Sequence, residues 1–256
     1  MENKSLCIQV AALTHPGKVR RHNEDCIVVD GWLSQESMRQ PQTFVQTLEE
    51  PLLCLVADGM GGHAAGEVAS RYAARRLSKE TPRFAADEAT LAEGLRRINQ
   101  EFFTEMQRSR AYTGMGTTVA GLIISQDRIL VFNVGDSRVY RCQGSNLVQL
   151  SIDDVPRKAL SGMGNPARIN HAITQSLGGI TDLVDITPHI VSQRLEVGRH
   201  YLLCSDGVTD MLNSTEMQAC ISDNPTDTVM ALFERAMAAG GKDNITAIAV
   251  RVQREV

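Results

Sequence analysis

Features that would fix a function at sight are missing from this chain. Its six cysteines, at 7, 26, 54, 142, 204 and 220, form no Cys-x-x-Cys pair, and none opens a Cys-x5-Arg loop. A zinc-binding cysteine cluster and the cysteine-phosphatase route are thereby argued against. The six histidines include no His-x-x-x-His pair. No apolar run approaches the ~20 residues that cross a bilayer. The opening Met1-Glu2-Asn3-Lys4-Ser5 has no signal-peptide apolar stretch behind it. The expectation is a cytoplasmic protein whose thiols are reduced core residues. Positive charge is not in excess either: 26 Lys and Arg against 30 Asp and Glu leave a formal charge of -4. No basic field draws the protein to nucleic acid or to an acidic membrane. Repeats, low-complexity tracts and linkers are also missing, which favours one domain over 1–256.

What is present is the composition of an ordinary folded enzyme or binding protein, 43% hydrophobic and 22% charged. A chain of this length buries roughly three quarters of its unfolded surface. Residues 5–13 read as a strand followed by a turn at 14–17, and 26–29 as a second short strand. Residues 31–50 are polar and weakly patterned, and so are expected to form a loop. Ala65, Ala69, Ala73 and Leu77 make one helical stripe; Leu91, Leu95, Ile98, Phe102 and Met106 make another. Strand-like runs follow at 117–125, 128–134, 137–141 and 147–150, and short turns suggest antiparallel neighbours. Further runs are expected at 184–193, 200–205 and 244–252, with a helix near 226–238. Two prolines and two glycines without a clean period mark 151–170 as a surface flap.

The chemistry lies in a device used three times. The run Leu52–Ala57 delivers Asp58 to Gly59, Tyr201–Ser205 delivers Asp206 to Gly207, and Gly240-Gly241-Lys242 precedes Asp243-Asn244 at the head of another apolar run. Asp58 is thus expected at the tip of a buried strand, where glycine lets backbone carbonyls approach a cation. Read alone, Asp58-Gly59 would equally suit a helix cap. With Asp136 beside Gly135, and with Glu24 and Asp25, the carboxylates are too many for one face unless cations neutralise them. Two carboxylates ~4 Å apart repel by about 4 kcal/mol at an effective dielectric of 20. An all-oxygen donor set suits Mg²⁺ or Mn²⁺. Two such ions ~3.5–4 Å apart can share a bridging water, lower its pKa and clamp phosphoryl oxygens. Arg20 then has a task, since a guanidinium fork matches two phosphate oxygens.

Six strings carry a resemblance: Val-Arg-Arg-His-Asn-Glu-Asp (19–25), Ala-Asp-Gly-Met-Gly-Gly-His-Ala-Ala-Gly-Glu (57–67), Gly-Met-Gly-Thr-Thr (114–118), Val-Gly-Asp-Ser-Arg (134–138), Leu-Cys-Ser-Asp-Gly-Val-Thr-Asp (203–210) and Lys-Asp-Asn-Ile-Thr (242–246). In this order they resemble the protein phosphatase 2C family in its bacterial form. The resemblance implies an α+β fold, a four-layer α-β-β-α sandwich of two antiparallel sheets flanked by helix pairs. It implies a metal-dependent serine/threonine protein phosphatase with two Mn²⁺ or Mg²⁺ ions. Asp58 then bridges the metals and Gly59 lends its carbonyl. Asp206 and Asp243 complete the ligand set of the second metal, and Glu24 and Asp25 hold metal-bound waters or ligate directly. Arg20 binds substrate phosphate, and Asp136 matches the aspartate that helps to hold a third, weaker ion. Phosphorylated proteins, an opposing serine/threonine kinase and a monomeric state complete the expectation.

The match has gaps. Ser151-Ile152-Asp153-Asp154 stands where the family commonly has Asp-His-Ser, and the flap is short. Eukaryotic members place a general-acid histidine directly after the first Asp-Gly, where this chain has Met60. His63 is the candidate proton donor in its stead, against a purely local hydrogen-bonding role. Arg138 reads as a surface ion pair, Asp153 and Asp154 as solvated or capping groups, and Asn244 as a turn-fixing residue. Two other functions stay open here: a non-catalytic relative that binds a kinase or phosphoprotein, and a hydrolase of small phosphate esters.

Overall fold

Apolar runs such as Leu52–Ala57 lack the polar alternation of a half-solvated strand, so both faces of the strands they form must be covered. A computed structural model describes residues 5–61, 65–144, 146–156 and 172–254 of the chain and shows what covers them. In chain order the first strands are β1 (Leu6–His15), β2 (Asp25–Val29), β3 (Trp32–Ser34), β4 (Gln42–Thr47) and β5 (Leu52–Met60). The helices α1 (Ala65–Phe84) and α2 (Glu88–Arg108) follow. Next come β6 (Gly116–Thr117), β7 (Val119–Ile124), β8 (Arg128–Val134), β9 (Arg138–Gln143) and β10 (Asn146–Gln149). The last part supplies β11 (Leu177–Gly178), β12 (His189–Arg194) and β13 (His200–Cys204). Two short helices, α3 (Asp206–Thr209) and α4 (Ser214–Gln218), lead to α5 (Pro225–Ala238) and β14 (Ile245–Arg254).

The strands form two antiparallel sheets. The first, six-stranded, runs β10-β9-β13-β14-β1-β4. The second, eight-stranded, runs β11-β6-β5-β7-β8-β12, with β2 against β5 and β3 against β2. Alternation along each strand sorts the core into layers. On β5, Leu53, Leu55 and Ala57 face α1 and α2, whereas Leu52, Cys54 and Val56 face the other sheet. On β14, Ile248, Val250 and Val252 meet that inter-sheet layer, and Ala247 and Ala249 meet α5. The result is the expected four-layer α-β-β-α sandwich. Among the described residues its helical faces are unequal, a long pair on one side and one long helix with two short ones on the other.

Helix α1 follows its sequence stripe: Ala65, Ala69, Ala73 and Leu77 are all buried. The small residues let the helix lie close to the sheet, and it continues to Phe84, about two turns past the last residue of that stripe. Asp87 caps α2, accepting the Thr90 N–H at 2.7 Å. Asn224 caps α5, with Pro225 in its first turn.

Three expectations need correction. Residues 31–50 are not all loop: β3 pairs with β2, and β4 pairs with β1 from Ala12↔Gln42 to Cys7↔Thr47. As an exposed edge strand, β4 needs backbone pairing but no apolar face, so its polar sequence hid it. Strands β8 and β9 are not neighbours; the turn 135–137 carries the chain from one sheet to the other. Strand β12 begins at His189, later than expected. Of the flap at 151–170, only 151–156 belongs to the described residues.

Candidate metal centre

The site lies where the apolar layer between the sheets runs out. The register Asp25↔Asp58 places the two aspartates directly opposite one another on β2 and β5. By alternation both follow the inward positions Ile27, Val29, Cys54 and Val56. Like charges opposed in this way destabilise a sheet. From the other sheet, Thr14 and Thr246 are likewise opposed and share a 2.8 Å hydrogen bond between their hydroxyls. Asp25 is wholly buried. Its Oδ2 accepts hydrogen bonds from Ser205 Oγ at 2.8 Å and from Thr246 Oγ1, both across the sheet gap. Its Oδ1 is buried and has no hydrogen-bond partner.

Asp58 is not at a strand tip, as expected, but inside β5, which continues through Gly59 and Met60 to pair with β6. The backbone on both sides holds it. Its carbonyl accepts the Thr118 N–H and the Thr117 hydroxyl, each at 2.8 Å. Gly59 is squeezed: its N–H donates to Glu24 O at 3.2 Å, and a Cβ there would lie 2.1 Å from Gly66 O and 2.6 Å from Glu24 O. Close approach, not an unusual φ, demands glycine.

The other acidic residues arrive from separate elements. Asp136 sits in the inter-sheet turn after Gly135. There φ is +104°, and a Cβ would lie 2.6 Å from Thr118 Cγ2. Asp206 opens α3, a position that suits a negative side chain. Asp243 precedes β14. Its Oδ1 accepts the Asn244 N–H at 2.9 Å, and its Oδ2 accepts Arg20 Nη2 at 2.6 Å. Asn244 does more than fix that turn. Its Oδ1 accepts the Glu24 N–H at 2.8 Å, and its Nδ2 donates to Pro16 O at 3.2 Å and His22 O at 2.9 Å.

Arg20, Glu24, Asp58, Gly59, Asp136, Asp206 and Asp243 therefore line one cleft of about 360 Å³. Of the expected residues, Asp25 is the exception among the described ones, held behind the cleft wall; His63 lies outside the described residues. A larger depression of about 550 Å³, between 32–42 and Arg71 and Arg75, shares no lining residue with the cleft. Its lining holds a single carboxylate, Glu36, beside two arginines, so the chemistry points to the smaller one.

Electrostatics follow from this packing. Asp58 keeps part of its surface open to the cleft, yet the protein around it desolvates it. That desolvation, then Asp25, Asp206, Asp136 and Asp243, hold its pKa well above the usual carboxylate value. Asp25 is pushed up to about 7 by burial, against the lowering effect of the Thr246 and Ser205 hydrogen bonds. Asp136 also reaches about 7, through burial and then Asp206. Burial raises Glu24 as well, with Arg20 opposing it. Arg20 is raised, first by its hydrogen bond to Asp243.

Do these residues fit divalent ions? Among the described residues no three acidic, histidine or cysteine side chains form a closed cage. The donor set itself is all oxygen, Glu24, Asp25, Asp58 and Asp136 are pushed toward protonation, and the backbone at Gly59 is kept clear of a Cβ. These features fit hard cations.

Sequence reasoning missed several supports of the site: Ser205, Thr246, Thr117 and Thr118. The strings 114–118, 203–210 and 242–246 contained them, but only the tertiary fold shows which hydroxyl reaches which carboxylate. It also misjudged three residues. Arg138 makes a two-pronged, half-buried pair with Asp153, at 2.6 and 2.9 Å to Oδ2. Asp154 is not solvated but 6% exposed and hydrogen-bonded on both oxygens.

Comparison with known proteins places this geometry. The family model "Protein phosphatase 2C" matches residues 31–247, a span that includes Asp58, Asp136, Asp206 and Asp243 and begins after Arg20, Glu24 and Asp25. The serine/threonine phosphatase stp of Listeria monocytogenes is 33% identical over 251 residues, 93% of either chain. Among solved structures, the serine/threonine phosphatase of S. agalactiae superposes with a TM-score of 0.78 at 25% identity, over 96% of this chain and 100% of that one. The catalytic domain of the serine/threonine protein phosphatase PstP, solved with two manganese ions, gives 0.76 at 27% identity, over 97% and 100%.

Proposed function

The chain belongs to the protein phosphatase 2C family, and on that premise we propose that it removes phosphate from phosphoserine and phosphothreonine in proteins, using Mn²⁺ or Mg²⁺ held in the acidic cleft. It is a metal-dependent serine/threonine phosphatase. The observation that carries the reading is convergence: Glu24, Asp58, Asp136, Asp206 and Asp243 leave five separate segments and meet at one cleft with Arg20 at its edge. The similarity to manganese-bound PstP supports it.

Two ions would be held by Asp58, by the Gly59 carbonyl and by Asp206 and Asp243, with Glu24 and Asp25 acting through water or directly and Asp136 serving a third, weaker ion. Bound divalent ions supply Lewis-acid charge and bring the pKa of an attacking water toward neutrality. The protein's own groups do the rest. Arg20 is more than half exposed and spends one N–H on Asp243, so four of the five donors of a guanidinium stay available for phosphate oxygens. Asp25, anchored by Ser205 and Thr246, fixes a buried negative charge behind Asp58. Asn244 holds Glu24 and the 16–22 segment that carries Arg20. His63 is the proposed donor of a proton to the leaving alkoxide.

The fold supports a single catalytic domain over 1–256 with a flap at about 151–170, because β1 and β14 pair along their whole lengths and tie the two ends of the described chain into one sheet. Six buried free thiols suit the reducing cytoplasm, where the enzyme would act as a monomer opposing a serine/threonine kinase. The relatives reported above are named as phosphatases, which lends the non-catalytic alternative no support. The test is phosphate release from a phosphothreonine peptide: activity is expected with Mn²⁺ and none with EDTA. No release with either Mn²⁺ or Mg²⁺ overturns the reading.

A further inference from the structure

We infer that Asp154 is a positioning residue that fastens together two walls of the acidic cleft and thereby sets where Asp136 stands. The inference rests on the cleft's reading as a divalent-ion site. Five bonds converge on this residue. Its Oδ2 accepts the Gly135 N–H at 2.9 Å, and its own N–H donates to Gly135 O at 3.0 Å. Its Oδ1 accepts Gln175 Nε2 at 2.7 Å and His189 Nε2 at 2.9 Å. A carboxylate only accepts, so His189 carries its proton on Nε2. The Asp154 carbonyl accepts the Thr174 N–H at 2.7 Å.

Gly135 leads straight into Asp136, and Thr174 follows Ile173; both Asp136 and Ile173 line the cleft. One buried residue thus grips the turn that carries a carboxylate and the segment that forms the opposite wall. The grip reaches Asp58 too. Gly135 packs on Thr118, whose N–H donates to Asp58 O and whose hydroxyl shares a 2.7 Å hydrogen bond with Ser137. Asn133 adds a second clasp, its Nδ2 donating to Ile152 O at 2.7 Å and Gly135 O at 3.2 Å. Losing the Asp154 carboxylate frees the Gly135 N–H, Gln175 and His189 at once, and Gly135, beside Asp136, is left with the bonds at its carbonyl, from the Asp154 N–H and Asn133.

The experiment is a double-mutant cycle on the full chain. Mn²⁺ binding to EDTA-stripped protein is followed by electron paramagnetic resonance, and kcat and KM are measured on a phosphothreonine peptide, for wild type, Asp154→Ala, Asp136→Asn and the pair. Asp136→Asn is expected to abolish one binding step. Asp154→Ala should weaken that same step by about tenfold, the range for residues that orient ligands, with unchanged far-ultraviolet circular dichroism. In the Asp136→Asn background it should weaken nothing further, because the two act through one carboxylate. A merely structural residue would lower thermal stability and leave the binding step where it was. The inference is overturned if Asp154→Ala binds Mn²⁺ as wild type does, if its loss is equal in both backgrounds, or if Asp136→Asn removes no step. Should the alanine variant not fold, Asp154→Asn, which keeps one acceptor oxygen, is judged by the same criteria. A wild type that binds no Mn²⁺ refutes the proposed function itself, a result distinguishable from failure of the positioning role.

Discussion

Asp25 offers a quantitative test, because its environment works against its charge when no divalent ion is present. Its folded-state pKa of about 7 lies above the ordinary 3.8. Below pH 3.8 the group is protonated in folded and unfolded chains alike and contributes nothing. Between 3.8 and about 7 the unfolded chain ionises first, so stability falls with rising pH. The interval, at ~1.4 kcal/mol per pH unit, amounts to a cost on the order of 4 kcal/mol at pH 8. Asp25→Asn removes it. The amide oxygen can still accept from Ser205 and Thr246, but the amide NH₂ takes the place of the partnerless Oδ1. That leaves a buried donor unsatisfied, at about 1–3 kcal/mol. The net gain at pH 8 is then about 1–3 kcal/mol, or a Tm roughly 2–6 °C higher for a chain of this size. Differential scanning calorimetry in EDTA between pH 4 and 8.5 checks it. The variant should be the more stable at pH 8, the advantage should shrink through pH 7 to 4, and added Mn²⁺ should reverse the order. An Asp25→Asn variant that in EDTA is less stable than wild type at pH 8, or that differs from it equally at every pH, would refute the reasoning.

Other changes probe single parts of the cleft. Asp206→Asn should cut kcat/KM for a phosphothreonine peptide by at least ~100-fold and abolish a Mn²⁺-binding step, seen in metal titration, since a direct ligand matters more than an outer one. Arg20→Lys keeps the charge but loses the planar fork. KM should rise about tenfold with kcat little changed, and a kcat loss at constant KM would contradict phosphate binding. Gly59→Ala drives a methyl against Gly66 O and Glu24 O. It should destabilise by at least about 1–3 kcal/mol in urea unfolding and blunt the stabilisation that Mn²⁺ confers.

The chain by itself determined a good deal. The runs Leu52–Ala57 and Tyr201–Cys204, apolar at every position, required strands covered on both faces, and the helical stripe at 65, 69, 73 and 77 supplied one cover. Period two along those strands also dictates that Asp58 follows Cys54 and Val56 toward the inter-sheet layer. Such patterns are legible because they are local: alternation and the 3.6-residue turn are properties of neighbouring residues. The six motif strings added the identity of the carboxylates. What the chain could not show is which segments meet. Strand β4 pairs through its backbone, which any sequence provides, so it left no apolar signature. The turn 135–137 reads like a hairpin, and only the sheet order reveals that it crosses between sheets and brings Asp136 to the cleft. Asp153 and Asp154 look like solvent-facing residues until Arg138, Gly135, Gln175 and His189 are placed around them. Tertiary structure decided these points because burial and hydrogen bonding of a polar group can depend on a partner 232 residues away, as in the bond between Thr14 and Thr246, and no local pattern encodes that distance.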